Sequence, residues 1–159
     1  MATGCATPRE EKAPAVELGE QVVAPLAEDV SEPVTRSARQ AAVLSLHELT
    51  AYPNACRYGL TLTNLLPYQI ERIYFRFAAQ GRDFDELEQV PGGFYDIEPT
   101  QGQYRELFFH VPCQRIYAVE VIDPGHCVMG ELTAGTAQPG ECLRHVDAAP
   151  SPYVEFIKR

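Results

Sequence analysis

Gln69-Ile70-Glu71-Arg72-Ile73-Tyr74-Phe75-Arg76-Phe77-Ala78-Ala79 alternates apolar and polar side chains. Ile73, Phe75 and Phe77 fall on one side, and Arg72, Tyr74 and Arg76 on the other. That is a period of two, the period of a strand with one buried face, and not the 3.6 of a helix. The same texture recurs on both sides of this stretch in short runs separated by Pro and Gly clusters. Residues 58–66 set Leu60 and Leu62 against Thr61 and Thr63. After Pro91-Gly92-Gly93, which reads as a turn, residues 94–97 form a short run. Residues 105–111 place Leu107, Phe109 and Val111 on one face. Residues 115–122 do the same with Tyr117, Val119 and Val121, and residues 153–158 with Val154 and Phe156. Residues 42–52 fit either a first strand or a short helix. Strands with one wet face belong to antiparallel sheets. The expected fold is therefore all-β, an immunoglobulin-like antiparallel β-sandwich of about seven strands. The strands fall at about 43–52, 58–66, 69–79, 94–98, 104–111, 115–122 and 153–158. A small closed barrel is the rival, since it carries the same alternation.

The 159 residues suit one domain, but their composition is uneven. Residues 1–38 contain no Phe or Tyr; the first aromatic of the chain is Tyr52. They hold Pro8, Pro14, Pro25 and Pro33. Glu10, Glu11, Glu17, Glu20, Glu28, Asp29 and Glu32 stand against Arg9, Lys12 and Arg36. Such a segment buries too little to offset the entropy of ordering it. It reads as a disordered Pro/Glu-rich tether ahead of a β-domain at 39–159. The alternative is a strap that orders on a partner through Val22, Val23 and Leu26. The net charge of -9 opposes wrapping by nucleic acid, which needs many Lys and Arg contacts. No run reaches the roughly 18–20 apolar residues of a membrane span.

Five cysteines occur, Cys5 in the tail and Cys56, Cys113, Cys127 and Cys142 in the domain. Four cysteines permit three connectivities. In the expected topology Cys56 and Cys113 lie at one end of the sandwich. Cys127 and Cys142 lie at the other, in the connection before the last strand. Bridged Cα atoms must come within about 7 Å, so 56–113 and 127–142 are the feasible pairs. The competing reading is a metal site. His110 precedes Cys113 by three residues, His126 adjoins Cys127 and His145 follows Cys142 by three, and thiolate with imidazole suits zinc. The alternative set is thus His110, Cys113, Cys142 and His145, with Cys127 beside them.

The motifs of familiar catalysis do not occur. No serine sits in Gly-x-Ser-x-Gly, and there is no phosphate loop, dinucleotide fingerprint or Cys-x-x-Cys pair. The dense acidic run at 83–88 reads as a solvated loop, and His47 as a surface or satisfied histidine. A non-enzymatic protein without a cofactor is expected. The strands at 69–79, 115–122 and 153–158 share a sheet in this topology. Its outer face would show Arg72, Tyr74, Arg76, Ile116, Ala118, Glu120, Ile122, Tyr153 and Ile157. That is more apolar surface than a wet face carries, and such patches mark interfaces. Tyr and Arg are frequent anchors there. A protein partner is the expectation; the rival is cover from the tail or from residues 130–150.

The opening Met1-Ala2-Thr3-Gly4-Cys5 resembles the end of a bacterial lipobox, small residues before a modified cysteine. Ala2 stands where an aliphatic residue is more usual, and the charged and apolar regions of a signal peptide do not precede it in this sequence. The resemblance implies a bacterial lipoprotein with a diacylglycerol on Cys5, held in the periplasm by that anchor. Its partner would then belong to a larger cell-envelope complex. The alternative is a cytoplasmic protein with a stray tail cysteine. Leu62-Thr63-Asn64, leading into a long alternating strand, is also similar to small bacterial sandwich modules of the FxLYD type. Because residues 1–38 offer few apolar contacts, removing them should leave the thermal transition nearly unchanged. A large fall in melting temperature would place Val22, Val23 and Leu26 on the domain.

Overall fold

The computed structural model describes residues 40–159; the expected tether and Cys5 lie outside them. Eight strands run in chain order: β1 (Ala42–Tyr52), β2 (Ala55–Thr63), β3 (Ile70–Gln80), β4 (Glu86–Ile97), β5 (Gly102–Phe109), β6 (Ala118–Met129), β7 (Val146–Ala148) and β8 (Glu155–Lys158). They form two four-stranded sheets, ordered β5-β2-β1-β7 and β4-β3-β6-β8. The molecule is a β-sandwich, and the ambiguous first segment is a strand. Ile73, Phe75 and Phe77 are buried from one sheet, and Leu60, Leu62, Leu107 and Phe109 from the other. The strands at 69–79, 115–122 and 153–158 do share a sheet.

Four expectations need correction. Pro91-Gly92-Gly93 is not a turn but the middle of β4, which is twelve residues long. Proline is tolerated because β4 is an edge strand, where one row of N–H groups has no ladder partner. Gly92 is required from the core side: a Cβ there would lie 2.5 Å from the Phe77 ring. Only Asp83 and Asp85 of the acidic run stay in the turn, since Glu86 begins β4.

The second correction is that β6 runs on to Met129, past the expected end at 122. Pairing with β3 jumps from Arg76↔Ile122 to Tyr74↔His126, so Asp123, Pro124 and Gly125 form a bulge opposite Phe75. Gly125 has φ +86°, and a Cβ on it would strike the backbone of Gln138 and Pro139 at 2.7–2.8 Å. The buried Asp123 carboxylate accepts the Gly125 N–H at 2.7 Å and the Leu143 N–H at 2.9 Å. It thereby fixes a short 3-10 helix, Cys142–His145, against the bulge.

Third, the phase of residues 115–122 is shifted at its start. A 3-10 helix, Cys113–Arg115, delays the strand to Ala118. Ile116 turns into the core at 8% exposure, while Tyr117 stays exposed against the edge of Phe84. Fourth, the sheets are not antiparallel throughout. β7 runs parallel to β1 and β8 parallel to β6. The 3-10 helix at Cys142–His145 leads the chain from β6 into β7, on the other sheet.

Both cysteine pairs are bridged as topology required. Cys56–Cys113 has a Cα separation of 4.8 Å, and Cys127–Cys142 one of 6.1 Å. Cys127 lies within β6, not after it.

The two open seams of the sandwich are closed by side chains. Along β4 and β5, the Tyr95 N–H donates to Gln103 Oε1 at 2.8 Å, and Gln103 Nε2 returns a bond to the Tyr95 carbonyl at 3.0 Å. Arg105 Nε donates to the Gly93 carbonyl at 2.9 Å, and the His110 N–H donates to Glu88 at 2.6 Å. The amide of Gln103 thus imitates a neighbouring peptide group. On the other side, Lys158 of β8 donates to the Val146 carbonyl of β7 and pairs with Asp147 at 3.3 Å.

Asn64, fully buried, sits where the chain leaves one sheet for the other. Its Nδ2 donates to the carbonyls of Tyr68 and Ile97, each at 2.9 Å, and its Oδ1 accepts the Leu66 N–H at 2.9 Å. Asn64→Leu would strand these buried groups at a cost of about 2–4 kcal/mol, since each unpaired buried polar group costs on the order of 1–3. Chemical denaturation under oxidising conditions measures this, with Leu65→Ala, at an exposed neighbour, expected to change little.

Candidate functional site

The site is assembled by three adjacent strands of the β4-β3-β6-β8 sheet. β3 supplies Arg72, Tyr74 and Arg76, all pointing away from the core because Ile73, Phe75 and Phe77 point into it. Across from them on β4 are Tyr95, Gly93 and Pro91. On β6 the partners are Val128, His126 and Ile122. The Tyr74 ring lies over Gly93, where a Cβ would come within 2.9 Å of it. Tyr95 meets Tyr74 edge-on, with ring centroids 5.4 Å apart, and its hydroxyl donates to the Tyr74 hydroxyl. That hydrogen bond, more than burial, raises the Tyr95 pKa above the ordinary tyrosine value. Tyr74 and Tyr95 are 36% and 38% exposed, so each presents about a third of its surface to solvent.

Two shallow hollows flank Tyr74. One, of about 160 Å³, is lined by Arg72, Tyr74, His126, Cys127 and Ala134. The other, of about 210 Å³, is lined by Tyr74, Phe75, Arg76, Pro91, Pro124 and His126.

The expected face is therefore only partly assembled. Arg72, Tyr74, Arg76 and Ile122 do come together. Ile157 shares the face but lies farther along it, opposite Glu120. Ala118 and Glu120 are buried: Glu120 accepts a hydrogen bond from Gln80 and pairs with Arg159 at 3.4 Å. Ile116 belongs to the core, for the reason given above. Tyr153 is exposed but precedes β8, beyond the strand's paired residues. Tyr95, Pro91 and His126 belong to the face and were not expected there. Placing a turn at 91–93 hid Pro91, leaving the run at 94–97 out of this sheet hid Tyr95, and ending the strand at 122 hid His126. Alternation carried backward from Phe94 puts Pro91 on the outer face only once the tripeptide is known to be strand.

The alternative metal set is not brought together. Cys113 is bridged to Cys56 and Cys142 to Cys127. The His110 imidazole is held by Glu88 at 3.0 Å. His145 lines a separate hollow of about 420 Å³ with Tyr68, Met129, Gly130, Glu131 and Leu132. Among the described residues, no group of three or more His, Cys, Asp or Glu side chains is arranged to hold a metal ion.

The outer face of the other sheet carries a second set of exposed rings. Tyr52 and Phe108 lie 5.9 Å apart, Phe108 and His110 5.2 Å, and His47 and Tyr104 5.9 Å. Polar contacts tie down part of this face. His47 hydrogen-bonds Thr61 at 2.8 Å, the Tyr104 hydroxyl donates to Glu48 at 2.8 Å, and Arg57 pairs with Glu106 at 3.0 Å.

No family model matches the sequence, and no curated protein is similar to it. One solved structure is similar, that of IrmA from Escherichia coli, at 13% identity. The match covers 68% of this chain and 90% of that one, with a TM-score of 0.48.

The hydrogen bond to Glu48 holds the Tyr104 hydroxyl up to about 12, and burial alone does the same for Tyr58. Both are raised acids, so any stability they carry is present below the ordinary value of about 10 and is lost as pH climbs through the folded value. Spectrophotometric titration at alkaline pH should show Tyr58 and Tyr104 ionising late. Glu48→Gln should return one of them toward the ordinary value and leave the other in place.

Proposed function

We propose that this chain is a non-enzymatic accessory module of the bacterial cell envelope. It is anchored by a lipid on Cys5 and docks on a larger protein assembly through the face built around Tyr74. The observation that carries the docking part is the Tyr74–Tyr95 pair, two half-open rings flanked by Arg72 and Arg76 over two hollows. Contiguous exposed apolar surface of this kind marks interfaces, and Tyr and Arg are the residues that most often anchor them. Two disulfides favour an oxidising compartment, which suits the periplasm better than the cytoplasm. The resemblance of Ala2-Thr3-Gly4-Cys5 to a lipobox supplies the anchor.

Two measurements test the two halves separately. Metabolic labelling with a fatty acid should mark the protein in a bacterial host and lose the mark in Cys5→Ser; an unlabelled wild type refutes the anchor. Tyr74→Ala should fold with little loss of stability and weaken partner binding by about 2 kcal/mol. Phe75→Ala, in the core, should cost about 3–5 kcal/mol of folding stability whatever the partner does. If Tyr74→Ala destabilises the domain as much as Phe75→Ala, the ring serves packing within the chain and the docking reading fails.

A further inference from the structure

We infer that the Tyr74 face receives an acidic, apolar segment of a partner protein in extended form, with carboxylates about four residues apart and an apolar side chain midway. This rests on the docking reading above and adds the chemistry of the occupant. The chain carries a net charge of -9, with 22 acidic residues against 13 basic ones. Several of its basic groups are already engaged: Arg57 with Glu106, Lys158 with Asp147, Arg159 with Glu120, and Arg105 with the carbonyls of Gly93 and Tyr104. Arg72 and Arg76 are not. Among the described residues neither has a hydrogen bond or an ion pair, though carboxylates are plentiful nearby in the sequence. Among the acidic groups of their sheet face, Glu86, Glu120 and Glu155 lie toward its far end, around Ala78 and Gln80; Glu86 is engaged by Gln89, and Glu120 by Gln80 and Arg159.

Geometry then sets the spacing. Residues four apart on a strand stand about 13 Å apart, at roughly 3.3 Å per residue. An extended segment lying along β3 has the same rise. Carboxylates at its own i and i+4 positions therefore meet Arg72 and Arg76 together. The side chain at i+2 arrives at Tyr74, between hollows of about 160 and 210 Å³. An apolar cavity of about 150 Å³ is enough for a benzene ring. The segment lies on the face of the sheet, along β3, and does not extend the sheet at β4. The outer edge of that strand is already occupied by the side chains of Gln103 and Arg105.

The test uses the full chain, immobilised and oxidised, against a displayed library of random dodecapeptides. Selected sequences should be enriched in an acidic–x–apolar–x–acidic pattern. A synthetic peptide of the strongest sequence should bind the wild type and lose about tenfold or more in affinity for Arg72→Glu/Arg76→Glu, as expected when attraction becomes repulsion. The same peptide with its acids changed to lysine should recover binding to that double variant. Arg72→Gln/Arg76→Gln, which only removes charge, serves if the reversal perturbs folding. Neutral or basic selected peptides whose binding is lost in Tyr74→Ala would overturn the acidic occupant and leave the docking face standing. Peptides indifferent to Tyr74→Ala and to the arginines, or no selected peptide at all, would overturn both. Two further results would also overturn it. One is binding to phosphatidylglycerol vesicles without any peptide binding, which makes the occupant an anionic membrane. The other is a dimer in sedimentation that dissociates on charge reversal, which makes it a second copy of this chain.

Discussion

Asn64 holds the sandwich together at the point where it is most easily lost. The chain passes between the sheets from β2 to β3 and again from β4 to β5. Both passages meet at this one side chain. Its amide bonds the Tyr68 carbonyl and the Leu66 N–H on the first crossing, and the Ile97 carbonyl at the start of the second. Its backbone binds Thr100 and Gln101 on that second crossing. A buried amide with every polar group satisfied specifies one arrangement, because each rival strands a donor or acceptor in the core. The relative placement of β3 and β4 follows, and with it the face that carries Tyr74.

From that placement a single register does two jobs. With Phe75 and Phe77 inward, Tyr74 and its arginines can only be outward. The notch at Gly92 admits Phe77 from below while Gly93 admits Tyr74 from above. Core and candidate interface are thus opposite sides of the same pair of glycines, and a change in one is felt by the other.

How much of this is legible in the sequence depends on whether a strand keeps its alternation. β3 does over most of its length, so its core residues and Arg72, Tyr74 and Arg76 can be read directly. The cysteine pairing is legible too, because only loosely known strand positions are needed to decide which Cα atoms approach. β4 and β6 are interrupted by Pro91-Gly92-Gly93 and Asp123-Pro124-Gly125, tripeptides that look alike as punctuation. One is a strand whose proline faces an open edge and whose glycine makes room for a ring. The other is a bulge that a buried aspartate stabilises. Neither reason exists until the neighbouring strands are in place, so Tyr95, Pro91 and His126 stay hidden. Ile116 misleads because a 3-10 helix resets the phase before it, and the three-residue β7 is too short for any period to show.

The side-chain closure of the β4 edge has a consequence in time as well as in shape. β3 and β4 form a local hairpin and can pair early, whereas β1 must find β7 across most of the domain, as Ala42 finds Val146. Non-local pairings of this kind fold slowly. Until β5 arrives with Gln103 and Arg105, the hairpin presents an unpaired row of backbone groups, a template for any passing strand. Between hairpin formation and the docking of β5 this chain is open to joining a neighbour, and crowding raises that risk.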